Sequence, residues 1–221
     1  MTIPRLHAIT DDARLAHADF VDDAAALVEA GGDDVALHLR GRATSAARMF
    51  ELAVALLPVA RAAGAKLLVN DRVDVALVAG ADGAHLREDS LDAHDARRIL
   101  GDAALIGVSR HGTTIEPASI AGADFVVWGS VFETASHPGA KPAGLDALRS
   151  AIQRIRANAG KSGRPPVIAI GGVTPDRVGA VLEAGADGVA ALSGIWDRGA
   201  RAVEGYRAAL RTARPETRAR A

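Results

Sequence analysis

Three groups of polar residues carry the chemistry of this 221-residue chain. Asp71, Glu88 and Asp89 are carboxylates set in short polar runs, NDR and REDS, each just after an apolar stretch. Hard oxygen ligands of this kind suit Mg²⁺, which commonly joins one or two carboxylates to substrate phosphates. Arg40 and Arg42 lie two residues apart and can clamp a phosphate group bidentately. Gly171-Gly172 and Ser193-Gly194 each follow an apolar run and precede a helical stretch. Bare backbone N–H groups at such helix starts suit an anion. The combined expectation is a site for phosphorylated small molecules with Mg²⁺ as cofactor, held by Asp71 and one of Glu88 or Asp89. The plainer alternative is a salt-bridge network on the rim, since exposed charges mostly do no more than solvate.

Other chemistries find no support. The absence of Cys removes disulfides, thiolate metal sites and thiol nucleophiles. There is no HExxH spacing for zinc and no G-x-S-x-G elbow for a hydrolase. Of the histidines, His17 and His94 fall in helical segments and read as solvated. His7 and His38 fall in predicted strands, the first read as packed and the second as pointing inward, and His85 closes another strand. His111 and His137 are loop residues. His137 stands beside Ser136 in a loop able to fold over an anion, which makes it a candidate phosphate ligand.

A formal net charge of -1 leaves no bulk field for nucleic acid, and 3% aromatic residues leave no stacking platform for single strands. No apolar run reaches the ~20 residues of a membrane helix. The opening MTIPRLHAITDD lacks the order of a signal peptide, so a cytoplasmic protein is expected. A homo-oligomer is compatible with the sequence, which carries no signal for its order.

These residues need a scaffold, and the chain repeats one. Ala63-Gly64-Ala65-Lys66, Ala79-Gly80-Ala81-Asp82, Ala121-Gly122-Ala123-Asp124 and Ala184-Gly185-Ala186-Asp187 each lead into an apolar run, as does the looser Ala30-Gly31-Gly32-Asp33-Asp34. The phrase reads as a helix closed by glycine, a short turn and a buried strand. The runs are apolar without alternation, as parallel strands covered on both faces are. Met49, Leu52, Leu56 and Val59 share a helical face, with Pro58 expected to kink it. Leu91–Leu100 and Leu148–Ile155 also fit helices, and Thr174-Pro175 has the order of an N-cap and first helical residue.

Eight strand-then-helix units follow, starting at Leu6, Val35, Leu67, Gly83, Ala104, Phe125, Val167 and Gly188. The predicted fold is α/β, a single (β/α)8 TIM barrel of parallel strands over residues 1–212, with an open doubly wound sheet as the alternative. Residues 213–221 are expected to form a disordered tail, and Ala135–Gly144 a long loop on the functional face. A barrel of this kind places every group named above at the C-terminal ends of its strands, with the two glycine-containing turns at units seven and eight, where such barrels often hold phosphate.

Taken together, LHAITDD (Leu6–Asp12), HLR (His38–Arg40), VNDRVDVAL (Val69–Leu77), GADGAHL (Gly80–Leu86), IGVS (Ile106–Ser109), GSVFET (Gly129–Thr134), IAIGGVTP (Ile168–Pro175) and AGADGVA (Ala184–Ala190) resemble the thiamine phosphate synthase and thiazole tautomerase superfamily, from Leu6 to about Ile195. The resemblance implies a barrel fold and a role in thiamine biosynthesis. The synthase branch joins hydroxymethylpyrimidine diphosphate to a thiazole phosphate and releases pyrophosphate. On its pattern Arg40, Asn70, Asp71 and Ser109 match the diphosphate and metal positions, with Ser109, Arg40 and Asp71 catalytic, Asp71 and Asp89 as metal ligands, and Arg42 keeping the charge of a phosphate-binding position. Thr134, Ser136, Gly172 and Ser193 match the surroundings of the thiazole phosphate, where His137, Gly171 and Gly194 are further candidate phosphate-binding residues.

The chain departs from that pattern at several places. His38 stands for Gln, Arg42 for Lys, and His137 for Lys. Arg87-Glu88-Asp89-Ser90 stands for Gly-Gln and an acidic pair. The tautomerase branch shares the opening LHAITDD and the GGVTPDR run (Gly171–Arg177), but carries a catalytic His where this chain has Ser130. The resemblance leans to the synthase, with the tautomerase and a non-catalytic thiamine- or thiazole-phosphate binder as alternatives.

Overall fold

The computed structural model describes residues 2–113, 115–134, 139, 141–157 and 164–212. Eight strands, β1 (Leu6–Ile9), β2 (Val35–Leu39), β3 (Lys66–Asn70), β4 (Gly83–Leu86), β5 (Leu105–Arg110), β6 (Phe125–Gly129), β7 (Val167–Ile170) and β8 (Gly188–Ala191), close into one all-parallel barrel in chain order. β1 pairs with both β2 and β8, which completes the ring and excludes the open sheet. The helices are α1 (Asp12–Leu15), α2 (Phe20–Gly31), α3 (Ala46–Ala63), α4 (Val73–Ala79), α5 (Ala93–Leu100), α6 (Gly144–Ala157), α7 (Val178–Glu183), α8 (Ser193–Trp196) and α9 (Ala200–Thr212).

The repeated phrase has a physical explanation. Gly64 and Gly80 close α3 and α4 in the left-handed conformation, with φ of 79° and 72°. The Asp that follows each turn staples two strands at the floor of the barrel. Asp82 accepts the Leu67 N–H at 2.9 Å, and Asp124 and Asp187 accept those of Ile106 and Val167 at 2.7 Å. Each carboxylate also meets a cation, Lys66, Arg97 and Arg164 in turn. Lys66, which takes the Asp place in its own repeat, is thus the partner of the next one.

The sequence pattern fails in two places. β5 is followed only by a 3-10 turn, Pro117–Ile120, so the eight units contain one connection without an α-helix among the described residues. That segment carries Gly112, Pro117 and Gly122 and no helical period, and it is tied down by Trp128 Nε1–H donating to the Gly112 carbonyl at 2.8 Å. His17 lies in the turn between α1 and α2 rather than in a helix, because α1 is a single turn. Pro58 lies inside α3, as its place in the helical period requires. The 213–221 tail, and residues 135–138 and 140 of the expected loop, lie outside the described residues.

Separate cores result. The largest fills the layer between barrel and helices. Another lies inside the barrel, from Ile9, Ala36, Leu68, Leu105, Phe125, Val127, Ile168 and Ala190. Phe125 occupies the axis because Gly107 opposite has no side chain; a Cβ there would meet the ring at 2.1 Å. Its burial is worth about 1.5–3 kcal/mol. Three histidines, His7, His38 and His85, share this interior and surround the Phe125 ring with centroid distances of 4.9, 6.3 and 6.0 Å.

Candidate active site

A cavity of about 970 Å³ opens at the C-terminal ends of the strands. Arg40, Arg42, Asn70, Asp89, Ser109, Thr134, Gly171, Gly172, Ser193 and Gly194 all line it, so the barrel brings together the expected site residues with three exceptions. Asp71 stands behind Arg87 and does not line the cavity. Ser136 and His137 lie outside the described residues.

Arg40 and Arg42 are set by residues of the first strand-end loop. Thr10, fully buried, accepts the Arg40 N–H at 2.7 Å. Asp12 accepts the N–H groups of Arg42, Ala43 and Thr44 and the Thr44 hydroxyl, all within 2.9 Å. Burial raises the Asp12 pKa, but these hydrogen bonds, Thr44 first, outweigh it and hold the carboxyl below its ordinary value. Thr10 and Asp12 therefore shape the loop rather than meet a ligand. Burial of Arg40 and the nearby charge of Arg42 pull its pKa down, against Asp71, Asp11 and Asp12.

The wall formed by β3, β4 and β5 is a hydrogen-bonded chain. Asn70 Nδ2 lies 3.2 Å from His85 Nδ1, and His85 Nε2 lies 2.9 Å from Ser109 Oγ. Burial drives the His85 pKa down to about 3, helped by His7 and Arg40, so its ring is neutral at pH 7. With the Asn70 amide donating to Nδ1, the His85 proton sits on Nε2 and is donated to Ser109. The Ser109 hydroxyl hydrogen is left to point at a ligand. Ser109 and Asn70 were legible as site residues; the imidazole that joins them was read only as the end of a strand.

The opposite wall is a glycine cup. Gly171 and Gly172 have φ of 102° and 60°. A Cβ on the first would meet Ser130 Cα at 2.6 Å, and on the second the Glu133 carbonyl oxygen at 2.3 Å, so only glycine fits either place. Arg177 holds the cup from outside, donating to the Gly172 carbonyl at 2.8 Å with its guanidinium 4.8 Å above the Phe132 ring. Arg177 also lines the cavity, and its helical position after the predicted N-cap gave no sign of that. Ser193 and Gly194 open the one-turn helix α8, whose Trp196 Nε1–H donates to the Ile9 carbonyl at 2.7 Å.

The carboxylates expected to hold magnesium are brought together, but around an arginine. Asp71 Oδ1 accepts the Arg87 N–H at 2.8 Å and Oδ2 accepts its Nε–H at 2.7 Å. Asp89 Oδ1 lies 3.7 Å from the same Nε. Glu88 pairs instead with His111 Nδ1 at 3.0 Å. No group of three or more His, Asp or Glu among the described residues could hold a metal ion.

With the site in view, the comparisons with known proteins decide the family. Residues 6–195 match the model of the thiamine monophosphate synthase family. The chain belongs to that family. A thiamine monophosphate synthase family relative from Agrobacterium fabrum, a thiamine-phosphate synthase, is 40% identical over 197 residues, 87% of this chain and 86% of its own. Another thiamine-phosphate synthase, from Moorella thermoacetica, is 40% identical over 167 residues, 74% of this chain and 75% of its own. Among solved structures, thiamine phosphate pyrophosphorylase from Pyrococcus furiosus superposes with a TM-score of 0.77 at 29% identity, over 96% of this chain and 97% of that one. The family match spans all eight strands, from β1 to β8, and so both walls of the cavity. No helix of the described residues is long and apolar enough to cross a membrane.

Proposed function

We propose that the barrel is a thiamine phosphate synthase acting in the cytoplasm on two phosphorylated small molecules. The bond from the pyrimidine methylene carbon of hydroxymethylpyrimidine diphosphate to the diphosphate oxygen breaks, and its electron pair leaves on pyrophosphate. The lone pair of the thiazole nitrogen then forms the new C–N bond to that carbon, giving thiamine phosphate. Stabilising the departing pyrophosphate, which carries three to four negative charges, is an electrostatic task for preorganised donors.

One observation carries this reading: a single cavity joins a wall of three cations, Arg40, Arg42 and Arg87 at the ends of β2 and β4, to the glycine cup with Ser193 and Gly194 at the ends of β7 and β8, two surroundings that each suit an anion. Ser109 belongs to the first wall, where its free hydroxyl hydrogen meets the leaving diphosphate oxygen. The curated relatives named as synthases support the same assignment. The test is simultaneous binding. In ³¹P NMR, pyrophosphate and a thiazole phosphate should each shift on adding protein, and neither should displace the other.

The Asp71–Arg87 ion pair favours a second reading, proton transfer within a thiazole carboxylate phosphate, because that reaction needs one phosphate wall and no metal at Asp71. Competition between the two ligands for one wall would select it.

A further inference from the structure

Asp71 has φ of 59°, in the left-handed region that side chains other than glycine rarely enter. The backbone cost is spent on aiming one carboxylate, and what the carboxylate meets is Arg87, through both of its oxygens. Asp89 flanks the same guanidinium. Nε is thereby engaged, while the two terminal nitrogens of Arg87 have no partner among the described residues, and the side chain, 41% exposed, lines the cavity. On its other side Asp71 lies within electrostatic reach of Arg40. A divalent cation at Asp71 would thus sit among two guanidinium groups on a carboxylate whose oxygens are both taken. That is a poor match for a small ion that demands near-octahedral oxygen ligands.

We propose that Arg87 is the inner cation of the diphosphate wall: Asp71 positions it, and its terminal N–H groups take up phosphate charge that a divalent metal would otherwise neutralise. The inference rests on reading that wall as the diphosphate end of a synthase. A guanidinium suits this duty because it is always charged and presents paired donors to phosphate oxygens.

The experiment is calorimetric titration of inorganic pyrophosphate into the full-length protein, once in EDTA and once with Mg²⁺. The wild type should bind with affinities that agree within about twofold in the two buffers. Arg87→Gly should bind about tenfold or more weakly in EDTA and recover a large part of the loss with Mg²⁺, since it frees Asp71 and Asp89 for the ion. Asp71→Asn should weaken EDTA binding in the same direction, because Arg87 loses its anchor. Wild-type affinity that rises about tenfold or more with Mg²⁺ overturns the inference while leaving the synthase reading intact. That arm needs no variant. Arg87→Gly binding as tightly as the wild type in EDTA also overturns it. No pyrophosphate binding by the wild type in either buffer removes the synthase reading, and the inference with it.

Discussion

His38 Nε2 lies 2.8 Å from His7 Nδ1, inside a barrel where neither residue has any exposed surface. His7 Nε2 faces the Pro4 carbonyl at 3.0 Å, which can only accept, so the His7 proton is on Nε2 and His38 must donate to Nδ1. His38 Nδ1 is then an acceptor that makes no well-formed hydrogen bond among the described residues, with the Asn70 side chain beside it. Both rings are held neutral. Burial brings His7 down to about 4 against the pull of Pro4, and burial, reinforced by the repulsion that protonating His7 or His85 would add, outweighs the Asn70 side chain and brings His38 well below its ordinary value.

Acid sensitivity follows from that arrangement. With His85 at about 3, three imidazoles stay unprotonated in the folded protein while the unfolded chain binds protons from pH ~6.5 downward. The unfolded state therefore gains protons first, and stability falls as pH drops from ~6.5 toward ~4. Each imidazole contributes at most about 1.4 kcal/mol per pH unit. Urea midpoints measured at pH 8, 6 and 5 should be level above pH 7 and fall steeply below it. His38→Gln should make that fall shallower by about one imidazole's share. A level profile down to pH 5 would mean that the rings are protonated in the folded state.

The glycine cup makes a steric prediction. Gly172→Ala places a methyl group 2.3 Å from the Glu133 carbonyl oxygen at a φ of 60°. Thermal unfolding should report a loss of about 1–3 kcal/mol, and thiazole phosphate affinity should fall with it. Pyrophosphate binding at the other wall should hold. Equal loss at both walls would show the cup to be a general structural support.

Thr10 makes the mirror-image prediction for the arginine wall. Thr10→Val removes the acceptor of the Arg40 N–H while keeping the side-chain shape. The buried N–H left without a partner costs about 1–3 kcal/mol. Titrations should show weaker pyrophosphate binding and unchanged thiazole phosphate binding.

Much of this was written plainly in the chain. All eight expected strand starts fall within one residue of their observed places, because glycine-closed helices and short apolar strands are local features with a fixed order. The strand-end residues followed from the fold, which is why Arg40, Asn70, Ser109, Gly171 and Gly172 meet in one cavity. What the chain hid is contact between side chains of neighbouring strands. Asp71 and Arg87 are sixteen positions apart, and nothing in either run says that the guanidinium turns back onto the carboxylate. The same holds for His85 and Ser109, and for the histidines that share the barrel interior. The helix expected after β5 failed for a different reason: the fold-level count overrode a local composition that argued for a turn.

Ser109 links the hidden chain to the reaction. Ser109→Ala should lower kcat about 100-fold, the usual cost of losing one donor to a developing anion, with the KM for the thiazole phosphate little changed. Steady-state kinetics with either substrate varied would show this. A rise in KM without loss of kcat would make Ser109 a binding group only.

The most direct measurement is turnover by the purified full-length protein given hydroxymethylpyrimidine diphosphate and the aromatic thiazole phosphate in a Mg²⁺ buffer. Thiamine phosphate and pyrophosphate should appear together in equal amounts. Silence with this pair, alongside conversion of the unaromatised thiazole tautomer, would contradict the synthase reading and make the cavity that of a tautomerase.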